Sequence, residues 1–247
     1  MLTFLRRVRK GLFESDMSRH YVLYALGEIA LVVIGILIAL QINNWNEDRK
    51  LQKEASDYRY KLINDLAADT LNINHHIEEA ILFREGILEY FDYFDQEDYN
   101  LELLIDSARN VRAPYRVGRY LPVNFTFLEM QSSGKLGLLS ETQHRALIEL
   151  SNFQDFIKIV FAKAIEGAQT QRDKASDYWG SDFNNIDFHK KLGISQNQDQ
   201  LIQGLLHRHK QLSMMYGLYG GVIERGRELK RISRDAINSL DIELKQH

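Results

Sequence analysis

Glu28 is a carboxylate set inside the run Val22–Ile42, where Gln41 is the only other strongly polar residue. A charge about two turns inside a membrane helix costs up to a few kcal/mol. Three roles would account for it: coupling to an ion or proton, meeting another helix, or snorkelling to the headgroups. At ~100° per residue, Gly35 falls nearly under Glu28 and Ala39 close beside it. Gly35-x-x-x-Ala39 has the small-xxx-small spacing that lets a second helix approach closely. Glu28, Gly35 and Ala39 are therefore the candidate membrane-helix interface.

A second group is basic. Arg109, Arg112, Arg116 and Arg119 cluster with Tyr115 and Tyr120 around "RAPYRVGRYLPVN". Guanidinium groups beside aromatic rings suit an anion, a glycan or an acidic partner. The same arginines would equally pair with acidic helix surfaces of this chain. Arg112, Arg116 and Arg119 form the candidate anion or partner loop.

Other patterns fall short of chemistry. Ser132-x-x-Lys135 matches the Ser-x-x-Lys of penicillin-recognising enzymes. That serine should open a helix, whereas Ser132 closes one, and no Ser-Asp-Asn or Lys-Thr-Gly occurs. His75-His76 and His207-x-His209 lack the i, i+3 or i, i+4 spacing of helical metal ligands, and no His-Glu-x-x-His is present. Asp65 and Asp69 share a helix face, an arrangement common on solvated helices. No phosphate-cradling glycine loop appears. The sequence thus assigns no catalytic, cofactor-binding or metal-binding residue, and it reads as a protein that is not an enzyme.

The elements that must position these residues are helical. The chain has no cysteine and only two prolines, and it is rich in Leu, Ile, Glu, Lys, Gln and Arg. Val22–Ile42 is long enough, at ~1.5 Å per residue, to span a bilayer core of ~30 Å. Ile29–Leu40 has no polar side chain on any face, unlike an amphipathic soluble helix. Asn43, Asn44 and Asn46 mark the exit, and Trp45 is placed to anchor at the headgroup layer. No small-x-small cleavage site follows, so the segment reads as an uncleaved signal anchor. The basic residues ahead of it outnumber those just after it, which keeps the N-terminus cytoplasmic. A basic tip on an otherwise acidic body argues against a nucleic-acid partner.

The expected organisation is a basic amphipathic tip over 1–20, a transmembrane helix over 21–44 and an extracytoplasmic helical domain over 45–247. Leu51, Ala55, Tyr58, Leu62, Leu66, Ile73, Ile77, Ile81, Leu88, Phe91 and Phe94 follow a three-to-four spacing, so the membrane helix is expected to continue to Asp95. Gln96-Glu97-Asp98 reads as a turn and Leu101–Val111 as a second helix. An irregular loop fills 112–124. Phe125–Ser133 is expected to end at a left-handed Gly134. Ser140 and Gln143 form a capping box opening a helix toward Gln171. Asp177–Gly193 reads as a polar, aromatic connection. A last helix covers about Asn197 to Leu244, and its apolar segment Leu212–Ile223 is too short to span a membrane. The fold class is all-α: one transmembrane helix continuing into a long helix, then a helical bundle.

The tract from Tyr24 to Glu47, "YALGEIALVVIGILIALQINNWNE", resembles the N-terminal signature of a family of uncharacterised Bacteroidota membrane proteins, classed as a domain of unknown function. Ser132-Ser133-Gly134-Lys135-Leu136 is similar to a second signature of that family, and the resemblance is expected to extend over the whole chain. It implies a single-pass inner-membrane protein and supplies no activity. The function expected is a membrane-anchored interaction or scaffold protein, self-associating or docked to another membrane protein. The alternatives are a periplasmic sensor and an ion-coupled membrane subunit using Glu28. No cofactor is expected.

Overall fold

Both prolines, Pro114 and Pro122, fall between Asn110 and Phe125, so no proline breaks a helix before or after that interval. The computed structural model describes residues 16–95, 100–179 and 197–244, and among these it is all-helical, with no strand. Five α-helices are described: α1 (Asp16–Phe94), α2 (Leu101–Asn110), α3 (Phe125–Ser132), α4 (Glu141–Trp179) and α5 (Gln198–Leu244). Short 3-10 turns lie at Tyr115–Gly118 and Lys135–Leu138. The first 15 residues of the basic tip, the turn at Gln96-Glu97-Asp98 and the connection from 180 to 193 lie outside the described residues.

Local chemistry sets the helix ends. The Asn100 side chain caps α2, accepting from the Glu102 and Leu103 amides at 2.9 and 3.2 Å. Gly134 follows α3 with φ of 71°, where a side chain would be strained. At the start of α4 the expected box forms: the Gln143 amide donates to Ser140 Oγ at 3.4 Å, and the Ser140 amide to Gln143 Oε1 at 3.2 Å.

The chain divides into two units, residues 1–55 and 56–247. In the first, α1 carries an 18-residue window of mean hydropathy 2.5, none of it buried. It is, among the described residues, the one stretch long and apolar enough to cross a membrane.

The second unit is built on the rest of α1 with α4 and α5. α1 buries Tyr58, Leu62, Leu66, Ile73, Ile77, Ala80, Phe83, Ile87 and Tyr90. This differs from the sequence pattern after Ile77, since Ile81 and Leu88 are exposed while Ala80 and Ile87 are buried. The pairs 80/87 and 81/88 have the same seven-residue spacing and differ by one helical step, so periodicity alone fits either. α4 contributes Leu147, Leu150, Ile157, Phe161 and Ile165, and α5 contributes Leu212, Met215, Tyr219, Val222, Leu229 and Leu240. Each fully buried aliphatic side chain contributes ~1.5–3 kcal/mol relative to exposure.

Bonded pairs give the directions. Asp69 reaches Gln154 and Arg59 reaches Gln143, so α1 and α4 run parallel. Gln143 reaches the Ser239 carbonyl and His207 reaches Gln171, so α5 runs antiparallel to α4. At one end α5 comes so close that a Cβ on Gly204 would fall inside the Trp179 indole. The indole Nε1–H donates to the Leu201 carbonyl at 3.1 Å. Leu212, Met215, Leu218, Tyr219 and Val222 are all buried, as expected for a core segment.

Candidate functional site

On α1, Glu28, Gly35 and Ala39 are all exposed, and a Cβ at Gly35 would meet nothing within 4 Å. Trp45 is likewise exposed. Around it the helix turns polar: the Asn43 side chain donates to Glu47 one turn on, at 3.1 Å. Gly35 and Ala39 present small groups, and Glu28 a carboxylate, along one stripe of the helix.

The loop between α2 and α3 is fixed to the second unit by side chains from all three long helices. On α1, residues 65, 69, 72, 76 and 79 recur at three-to-four spacing and bond the loop in reverse order. Glu79 pairs with Arg116. His76 Nδ1 donates to the Val117 carbonyl at 2.9 Å, because that oxygen can only accept. Asn72 donates to the Leu121 carbonyl at 3.0 Å. Asp69 accepts from the Tyr120 hydroxyl at 2.6 Å, the Val123 amide at 2.9 Å and Gln154 at 3.0 Å. Asp65 accepts from the Thr126 amide at 2.7 Å, supplying from α1 the helix N-terminal acceptor that Asn124 does not provide to α3.

Asp69 is fully buried, which corrects its reading as part of a solvated pair. Burial raises its pKa despite the three hydrogen bonds that lower it. His76 is pushed down, first by burial. The Arg116 hydrogen bond holds Glu79 below the usual carboxylate range. The signal for this ladder was present as Asp65-x-x-x-Asp69-x-x-Asn72-x-x-x-His76-x-x-Glu79, a polar stripe at helical spacing beside the apolar one.

The loop arginines have different surroundings. Arg116 joins the ladder. Arg119 is exposed. Arg112 is exposed too, and it borders a cavity of about 280 Å³ with Arg109, Arg172 and Arg208. Two of these four come from α4 and α5, which sequence clustering could not show. Arg208 is buried and caps the C-terminus of α2: Nε donates to the Ala108 carbonyl at 2.9 Å and Nη2 to the Val111 carbonyl at 2.6 Å. Its Nη1 donates to Gln211 Oε1 at 2.6 Å, which orients the Gln211 amide to donate to Tyr115 Oη at 2.7 Å. Burial, with a smaller push from the positive charge of Arg172, brings the Arg208 pKa down to about 10. The Arg109 guanidinium lies over the Trp179 indole, 4.8 Å from its centroid. A second cavity, of about 460 Å³ and lined in part by Phe83 and Tyr90, shares Asn110, Val111 and Arg112 with the first.

The Ser132 hydroxyl donates to the Glu129 carbonyl at 3.0 Å, as a helix-closing residue does, and Lys135 lies near the Tyr58 ring. Among the described residues no group of three or more potential metal ligands comes together.

Residues 28–96 match a family of unknown function, DUF6090. The DUF6090 match spans most of the apolar window, with Glu28, Gly35 and Ala39, and all five ladder residues of α1. It stops before the loop, so the similarity expected at Ser132–Leu136 falls outside it. No curated protein and no solved structure matches the chain.

Proposed function

We propose that this chain is a single-span membrane protein of the inner membrane, and that its helical second unit is an extracytoplasmic interaction or scaffold module. One observation carries the reading. The most apolar stretch of the chain buries none of its surface, while the helices of the second unit bury theirs at regular spacing. Apolar surface on that scale is covered by lipid or by another helix. The excess of basic residues ahead of the apolar window favours a cytoplasmic N-terminus. Glu28, Gly35 and Ala39 supply the face for self-association or for docking to a second membrane protein. In this reading the role is one of anchoring and contact.

Protease protection in intact spheroplasts tests the topology. A tag after His247 is expected to be digested from outside, with the protein remaining in the carbonate-washed membrane pellet. Release of the chain by carbonate, or protection of that tag until the membrane is lysed, would sink the proposal.

A further inference from the structure

We infer that the cavity of about 460 Å³ between α1 and α2 is a binding site for a short zwitterion with an apolar body, an amino acid or a dipeptide. Phe83, Tyr90 and Val111 supply apolar lining, and Glu89 and Arg112 are the only charged residues among the described ones that line it. The two charges are opposite and come from different elements, Glu89 from α1 and Arg112 from the loop after α2. A carboxylate receives an ammonium group, and a planar guanidinium fork receives a carboxylate.

Both charges are available. Glu89 and Arg112 are exposed, and neither makes a hydrogen bond or an ion pair among the described residues, with each other or with a third group. Glu85 and Asp92, one turn to either side of Glu89, are acidic too, so α1 offers it no cation there. The Arg112 guanidinium stands 5.8 Å from the centroid of Phe83, a ring that lines this cavity and not the neighbouring one. Arg116, the other guanidinium near that ring, is paired with Glu79.

Gly86 opens the floor. It lies in the interior of α1, where glycine is disfavoured, and a Cβ there would meet nothing within 4 Å. Close packing therefore does not explain it, in contrast to Gly204 against Trp179. Its missing side chain leaves room between Phe83 and Tyr90, which share its face of the helix. Both rings are buried, and the Tyr90 hydroxyl is tied to His209 at 3.2 Å, so the floor is fixed before a ligand arrives. The volume lies in the range of small-molecule sites.

The test uses the full chain in detergent, titrated calorimetrically with L-phenylalanine and with the dipeptide alanyl-phenylalanine. Saturable binding of at least one of them at one site per chain is expected, with a rise in melting temperature. Phenethylamine, which lacks the carboxylate, and phenylpropionate, which lacks the ammonium, are each expected to bind about tenfold more weakly. Glu89→Gln and Arg112→Gln are each expected to weaken zwitterion binding by a similar factor. Gly86→Leu fills the space with a residue that favours a helix, so it is expected to abolish binding without lowering the melting temperature. Absence of saturable binding by both zwitterions overturns the inference, as does undiminished binding to Gly86→Leu or equal affinity for either singly charged compound. The wild-type comparison of these compounds decides alone should a variant fail to fold. Membrane topology does not enter the measurement, so failure here is distinct from failure of the anchor.

Discussion

At the scale of single residues, Asp69 does the most to hold the irregular loop. Its two oxygens receive donors from a tyrosine hydroxyl, a loop amide and a glutamine on α4, so one side chain joins three segments. Replacing it with alanine leaves those donors buried without their acceptor. Asp69→Ala is expected to lower stability by on the order of 3 kcal/mol in urea unfolding of the full chain; a loss below ~0.5 kcal/mol would tell against the clamp. Asp69→Asn keeps one oxygen and separates charge from geometry. In the unfolded chain Asp69 loses its proton near the ordinary carboxylate value, while in the fold burial keeps the proton on to higher pH. The unfolded state binds fewer protons across that window, so stability falls as pH rises through it. The melting temperature of the wild type relative to Asp69→Asn is therefore expected to drop as pH rises from about 4 through the raised value. A constant difference would remove the titration from the account.

At the scale of elements, α1 has two jobs in one continuous helix. Its first part presents an apolar window that is not buried, and its later part supplies both a core stripe and a polar ladder. The existence of the helix was legible from spacing and the lack of proline. Its rotation past Ile77 was not, because Ala80/Ile87 and Ile81/Leu88 fit the same period and only tertiary packing chooses. For the first part, the proposed face makes a directional claim. Gly35→Cys in native membranes is expected to give a disulfide-linked dimer on oxidation. Leu37→Cys, on the opposite side of the helix, is expected to give far less. Efficient thiol labelling of Gly35→Cys without a dimer would count against self-association there.

At the scale of the whole molecule, the second unit carries histidines held below their usual pKa. His76 and His209 are both lowered first by burial, the latter among Tyr90, Phe91 and Phe94. The unfolded chain binds more protons than the fold as pH falls below ~6.5, so their contribution to stability is lost through that range. The melting temperature of the full chain is expected to fall between about pH 7 and pH 5, and replacing both histidines with glutamine is expected to flatten the slope. An unchanged slope in that variant would assign the acid sensitivity to other groups.

The sequence by itself determined what depends on neighbours along the chain. The apolar window, the helices, the break at the two prolines, the left-handed Gly134 and the Ser140–Gln143 cap all follow from residues within a turn or two of one another. Tertiary structure alone decided what depends on residues far apart in sequence. Asp69 became a buried clamp because Tyr120, Val123 and Gln154 close over it. Arg116 went to Glu79, while Arg112 came to share a cavity with Arg172 and Arg208. Helix periodicity groups residues along one side, but which side is buried, and the charge or donor met there, depends on how separate helices are set against one another.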